Sequence, residues 1–166
     1  VLVVDSSNHC IRMISADGKE VSTVAGTVQH GRQDGPAAQA RFRFPTAVVV
    51  LSDGRILIAD WGNHRICMLS ADLQQVTTVA GNGTRGLRDG CAAQATFACP
   101  SGLAVLPDGR VLVSQDHCIR VLSADLQEVT TVAGTGEGGH QDGAGAQACF
   151  WCPQGMVVLP DNRVLV

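Results

Sequence analysis

The sequence predicts an all-β fold: a β-propeller of consecutive four-stranded antiparallel blades. Three observations predict it. Short runs rich in Val and Ile are joined by tight turns, as at Ala47–Leu51, Asp53-Gly54 and Ile56–Ala59. Runs of that length and composition are strands, and Asp-Gly between them signals a hairpin. The pattern recurs: Val1, Ile56, Val111 and Val164 hold the same place in it, at intervals of 55, 55 and 53 residues. No segment spaces its apolar residues at three and four, which excludes a helical solenoid. A period holding four short strands is the size of one propeller blade.

Each period reads the same way. The first strand follows a proline, at Ala47–Leu51, Leu103–Leu106 and Met156–Leu159. It is almost wholly apolar, so burial on both faces is expected. The second covers Val1–Val4, Ile56–Ala59 and Val111–Val113. The third follows a histidine, at Ile11–Ile14, Ile66–Leu69 and Ile119–Leu122. A Ser-Ala-Asp turn leads to the fourth, at Val21–Ala25, Val76–Ala80 and Val129–Ala133. That strand alternates Val with Thr or Ser, the pattern of an outer strand with one wet face.

The connection to the next period is long, as in the eighteen residues Thr27–Phe44, yet it repeats its own skeleton. Asp34-Gly35, Asp89-Gly90 and Asp142-Gly143 recur, and so do Phe42, Phe97 and Phe150. Structureless loops of this length are uncommon, so a defined shape is expected, with a helical turn at Ala37–Ala40 and each Phe plugged between neighbouring blades. The chain reads as one segment, residues 1–166, with units at 1–44, 45–99 and 100–152 and the start of a further unit at 153–166. It begins inside a strand and without Met, so it reads as part of a longer array. Further blades, or a second copy of the chain, are expected to close the ring.

Composition narrows the function. Net charge is −3, with eleven Arg and one Lys, which is no dense basic footprint for nucleic acid. No apolar run approaches the roughly 20 residues of a membrane helix, and no signal peptide is visible. The seven cysteines are odd in number and scattered, which argues for reduced thiols. Together these features place the chain in the cytoplasm and away from membranes.

Asp60-x-x-Asn63-His64-Arg65-Ile66, preceded by Asp5-x-x-Asn8-His9, resembles the signature of the NHL repeat. Pro100-Ser101-Gly102-Leu103-Ala104-Val105-Leu106-Pro107-Asp108-Gly109 and the Thr-Val-Ala-Gly linkers resemble a long-linker branch of that family. The resemblance implies a propeller, usually of six blades, that presents interaction surfaces. The third repeat departs from it: Ser114-Gln115-Asp116-His117-Cys118 is two residues short and lacks the Asn.

The repeat-locked residues Asp5, Asn8, His9, Asp60, Asn63, His64, Asp116 and His117 are read as structural, because a catalytic or metal site seldom recurs in every blade. Cys149-Phe150-Trp151-Cys152 has the Cys-x-x-Cys spacing of redox or metal sites, but Cys152 aligns with Cys99 and Phe44, an apolar slot. The glycine-rich linkers lack the Lys and Ser/Thr of a phosphate loop. The chain has no Tyr, and its carboxylates sit mostly at turns. These features lead to the expectation of no enzyme activity, no cofactor and no metal.

What varies between repeats is the better guide to binding. His30, Arg32, Arg43, Trp61, Arg85, Arg88, His140 and Trp151 vary, and strand topology gathers them at one end. Loops on a rigid scaffold carry function, and Trp and Arg are common interface anchors. The expected role is a protein-binding scaffold. An RNA-binding propeller, through Arg32, Arg43, Arg85 and Arg88, is the first alternative. The resemblance to NHL propellers implies the second, a lyase or lactonase with its site on further blades.

Overall fold

A computed structural model describes residues 1–166. β1 (Leu2–Asp5), β2 (Cys10–Ile14) and β3 (Val21–Ala25) form a three-stranded antiparallel sheet. β4 (Gly35–Pro36), β5 (Pro45–Val50), β6 (Ile56–Asp60), β7 (Arg65–Leu69) and β8 (Gln75–Ala80) form a second, in the order β4-β8-β7-β6-β5. β9 (Gly90–Cys91), β10 (Pro100–Val105), β11 (Val111–Gln115), β12 (Cys118–Leu122) and β13 (Glu128–Ala133) form a third, in the order β10-β11-β12-β13-β9. β14 (Val157–Val158) and β15 (Val164–Leu165) pair as a hairpin. The fold is all-β, 45% strand and 5% helix. No helix is long and apolar enough to cross a membrane.

The sheets hold three to five strands rather than a uniform four. The additional strand comes from the linker. Gly35 and Pro36 pair antiparallel with Val76 and Gln75 of β8, and Gly90 and Cys91 with Val129 and Glu128 of β13. The linker leaves one sheet, covers the outer edge of the next, and then returns to start that sheet's first strand. A two-residue strand bearing a proline is a common way to blunt a sheet edge. Asp34 secures the crossing by accepting the Thr78 N–H at 2.6 Å, and Asp89 does the same for Thr131 at 3.0 Å. The expected helical turn is a single turn, closed by the Ala40 N–H donating to Pro36 O at 2.9 Å.

Burial also differs from expectation. β6, β11 and β12 are buried along their whole length, whereas β5 is partly exposed through most of its own. The cause is position. β5 is the edge strand of its sheet, running between β1 and β10 where the sheets converge. The strands behind it have neighbours on both sides.

The cores lie between sheets, not within them. Ile11 and Ala25 of the first sheet meet Ile58, Cys67 and Val76 of the second across Phe42, which is fully buried. Ile66 and Ala80 of the second meet Val113 and Leu122 of the third across Phe97, also fully buried. Burying one such ring stabilises the seam by about 1.5–3 kcal/mol. Phe150, the third of the series, is only half-buried, against Leu112 and Ile119. Gly81 shows how close the approach is: its φ is +94°, and a Cβ there would sit 2.7 Å from His64 O.

Candidate interaction face

The loops between the second and third strands and the ends of the linkers share one end of the molecule. In the first two sheets each loop is a short 3-10 turn, Ser6–Asn8 and Trp61–Asn63, ending in a histidine in the left-handed region. The φ values are 57° for His9 and 53° for His64, a conformation that histidine tolerates better than most residues. It aims each ring across the seam. His9 Nδ1 accepts the Phe44 N–H at 3.2 Å, and His64 Nδ1 accepts the Cys99 N–H at 3.2 Å. In the third sheet the tighter turn still brings His117 Nδ1 to the Cys152 N–H, at 3.4 Å. An acceptor nitrogen carries no proton, so Nδ1 of His64 is bare at the seam. Burial lowers the His64 pKa; Arg85 and Arg43 lower it further, against Asp116 and Asp60.

Asp60 pins the same linker end from the other side. It is fully buried and accepts the Arg43 N–H at 2.7 Å, Asn63 Nδ2 at 2.8 Å and Arg65 Nε at 2.8 Å. Burial pushes its pKa up, against the lowering by these donors. Asn63 Nδ2 also donates to Gly31 O at 2.7 Å, and Arg65 reaches Asp34 at 2.5 Å and Thr78 Oγ1 at 2.7 Å. Asp5 and Asn8 form a lighter version, 3.0 Å apart, with Arg12 at 3.4 Å from Asp5.

Asp116 departs from its expected place beside Asp5 and Asp60. In the sheet register Asp60 opposes Pro45 and Gln115 opposes Pro100, so Gln115 holds that slot. Gln115 is fully buried and its Oε1 accepts the Ala98 N–H at 3.3 Å. Asp116 lies in the turn and binds Arg85 at 2.7 Å. Two missing loop residues hide this shift in the sequence.

The varying residues fall into distinct settings. His30, His9, Phe44 and Trp61 form a row of edge-to-face rings, with centroids 5.5, 4.7 and 6.5 Å apart. Arg43 lies against Gly62, next to Trp61. Arg85 and Asp116 sit beside His64. Trp151 covers His117 at 5.6 Å. Arg32 lies across Gly83 of the following linker. Arg88 and His140 are exposed farther along their linkers, and the Arg88 carbonyl accepts Arg120 NH2 at 2.9 Å. Cys149 approaches Thr135 Oγ1 at 3.6 Å, and all seven thiols are unpaired. No three His, Cys, Asp or Glu side chains are grouped to hold a metal ion.

Sequence reasoning missed a set of hydroxyls. Thr46 and Ser101 are the extra residues of β-bulges at the starts of β5 and β10, and a bulge re-aims its side chain. Thr46 Oγ1 donates to Pro100 O at 3.0 Å and Ser101 Oγ to Pro153 O at 2.8 Å. Ser6 Oγ donates to Pro45 O. These hydroxyls border a cavity of about 450 Å³ with Trp61, Gln154 and Met156. A smaller one of about 190 Å³ adjoins it, lined by Trp61, Cys99, Ser101, Asp116, Cys152 and Gln154. Thr46 and Ser101 directly after Pro45 and Pro100 were the available signal; Ser6, which follows Asp5, carried none.

Residues 42–67 match the NHL repeat model. The chain is 37% identical over 106 residues to NHL repeat-containing protein 2 of Gallus gallus, covering 63% of this chain and 14% of that protein. It is 28% identical over 134 residues to the Arabidopsis thaliana protein SUPPRESSOR OF QUENCHING 1, chloroplastic, covering 76% of this chain and 13% of that one. The chain thus spans about one seventh of the curated relatives it matches. Among solved structures, a Bacteroides thetaiotaomicron protein of unknown function superposes with a TM-score of 0.74 at 22% identity, over 93% of this chain and 38% of that one. A streptogramin B lyase superposes at 0.58 with 17% identity, over 98% of this chain and 42% of that one. At those identities the likeness is one of propeller-like fold.

Proposed function

We propose, from the premise that this chain carries NHL repeats, that its sheets are three consecutive blades of a β-propeller serving as a protein-binding scaffold. The units 1–44, 45–99 and 100–152 are then one blade period each, and the hairpin of β14 and β15 opens the next. One observation carries the reading. Phe44, Trp61 and Trp151 are 41%, 39% and 74% exposed at one end of the molecule, with Arg43 and Arg85 among them. Exposed aromatics and arginines on a rigid frame are the composition of interface hot spots. His9, Asp60, Asn63, His64 and His117 are occupied in holding seams, so the varying residues are the better candidates to meet a partner. The scaffold reading assigns no chemistry to this chain.

RNA binding is the weaker reading. Of its four arginines, Arg85 is neutralised by Asp116, and the chain's net charge is −3. Cross-linking of the full-length protein in extracts of its own cells, followed by mass spectrometry, tests the proposal. The expected result is a protein partner lost in the Trp61→Ala/Trp151→Ala variant without a change in melting. A partner retained by that variant contradicts it. RNA recovered with a steep salt dependence favours the RNA reading, and turnover supported by a stoichiometric metal favours the lyase or lactonase reading.

A further inference from the structure

We infer that the 450 Å³ cavity beside Trp61 receives a cationic side chain, an arginine above all, from the protein partner; this rests on the scaffold reading and names one of its contacts. A hydroxyl has one hydrogen and two lone pairs. Ser6 and Thr46 give that hydrogen across a seam, to the carbonyls of Pro45 and Pro100, and Ser101 has three acceptors within reach of its one hydrogen: Pro153 O at 2.8 Å, Ser114 O at 3.2 Å and Ser114 Oγ at 3.1 Å. What remains for an entering group is a set of oxygen lone pairs, contributed by three successive sheets. The only side-chain donors on this rim are the Gln154 amide and the Trp61 indole N–H. Among the side chains, then, acceptors outnumber donors, and a group made of N–H donors would be matched to them.

Two further features select a charged donor over a neutral one. Trp61 borders both cavities, and an indole face attracts a cation within about 6 Å of its centroid. The adjoining cavity holds the Asp116 carboxylate, which already binds one guanidinium, that of Arg85, at 2.7 Å. A guanidinium suits the site better than an ammonium. Its five N–H donors lie in a plane that stacks on an aromatic ring while reaching several acceptors.

The test titrates N-acetylarginine amide and N-acetylcitrulline amide into the full-length protein, following the Trp61 indole and Met156 methyl resonances. The arginine compound is expected to shift both saturably, and the uncharged citrulline compound to bind at least roughly tenfold more weakly. In Trp61→Ala the Met156 shift should vanish while the melting temperature holds. Equal binding of the two compounds, unmoved resonances, or an undiminished Met156 shift in Trp61→Ala would each overturn the inference. Its failure differs from failure of the scaffold: a cross-linked partner that depends on Trp151 but not on this cavity leaves the scaffold standing.

Discussion

The strand-connecting loops of the second and third sheets hold equivalent seams with different residues. In the second, the buried Asp60 carboxylate takes the Arg43 N–H and the Arg65 guanidinium, and Arg65 continues to Asp34 of the linker. In the third, the neutral Gln115 takes the Ala98 N–H, and the guanidinium comes from Arg120, which reaches Asp89 of the linker at 2.6 Å. Cys67 and Cys118 fill the strand positions that the two arginines vacate. Consecutive backbone N–H groups at each linker end are thus pinned to adjacent sheets. Arg43 goes to Asp60 and Phe44 to His9; Ala98 goes to Gln115 and Cys99 to His64. The geometry recurs where the letters do not.

The largest contrast is electrostatic. Asp60→Ala leaves Arg65, 1% exposed, without its buried partner, and about 3–5 kcal/mol of stability should be lost. Gln115→Ala removes only a neutral acceptor, so about 1–3 kcal/mol is expected. Urea denaturation of the two variants compares them, and equal losses would erase the distinction between the loops. Asp116→Ala, in an exposed pair with Arg85, should change stability by no more than about 1 kcal/mol.

The next contrast is steric. Gly102 in β10 and Ala47 in β5 occupy equivalent places after the bulge. A Cβ at Gly102 would collide with Gln154 O and come within 2.7 Å of Ser114 Oγ. Gly102→Ala should therefore cost about 1–3 kcal/mol by overpacking, while Ala47→Gly should cost about 0.5–1 kcal/mol through backbone freedom. Thermal melts that rank the pair in the opposite order would break the equivalence.

His64→Ala should cost about 1–3 kcal/mol through an unpaired seam N–H. Its pH dependence has a definite sign. The folded-state pKa lies below the ordinary value of 6.5, so the unfolded chain takes up a proton first. Stability should fall as pH drops below about 6.5 and level off beneath the folded pKa. Denaturation midpoints of wild type and His64→Ala should converge over that interval.

The smallest contrast is one of rate. Cys67 is fully buried and burial drives its pKa far up, whereas Cys91 and Cys152 are exposed. Iodoacetamide should label Cys91 and Cys152 in the folded protein and Cys67 only on unfolding. Labelling of Cys67 at the rate of Cys152 would mean that the seam opens freely.

Much of this was legible in the sequence. Val- and Ile-rich runs with Asp-Gly turns located the strands of all three sheets, and the recurring Phe marked the inter-sheet cores. The two-residue linker strands were not legible, because Gly35-Pro36 and Gly90-Cys91 carry no periodicity and pair with residues some 40 positions away. The place of Gln115 was hidden because the eye aligns Asp116 with Asp60, while the pairing of β10 with β11 sets the register. Thr46 and Ser101 looked like ordinary strand residues; a bulge, invisible in composition, turns them toward the next sheet. In each case the missing information is a long-range partner.

The claim that histidine stitches each sheet to the next is tested most directly by amide hydrogen exchange at Cys99 in wild type and His64→Ala. The account expects the Cys99 N–H to be protected in wild type and to exchange much faster in the variant, while the Ile66 amide within β7 stays protected. Unchanged protection at Cys99 in His64→Ala would contradict it.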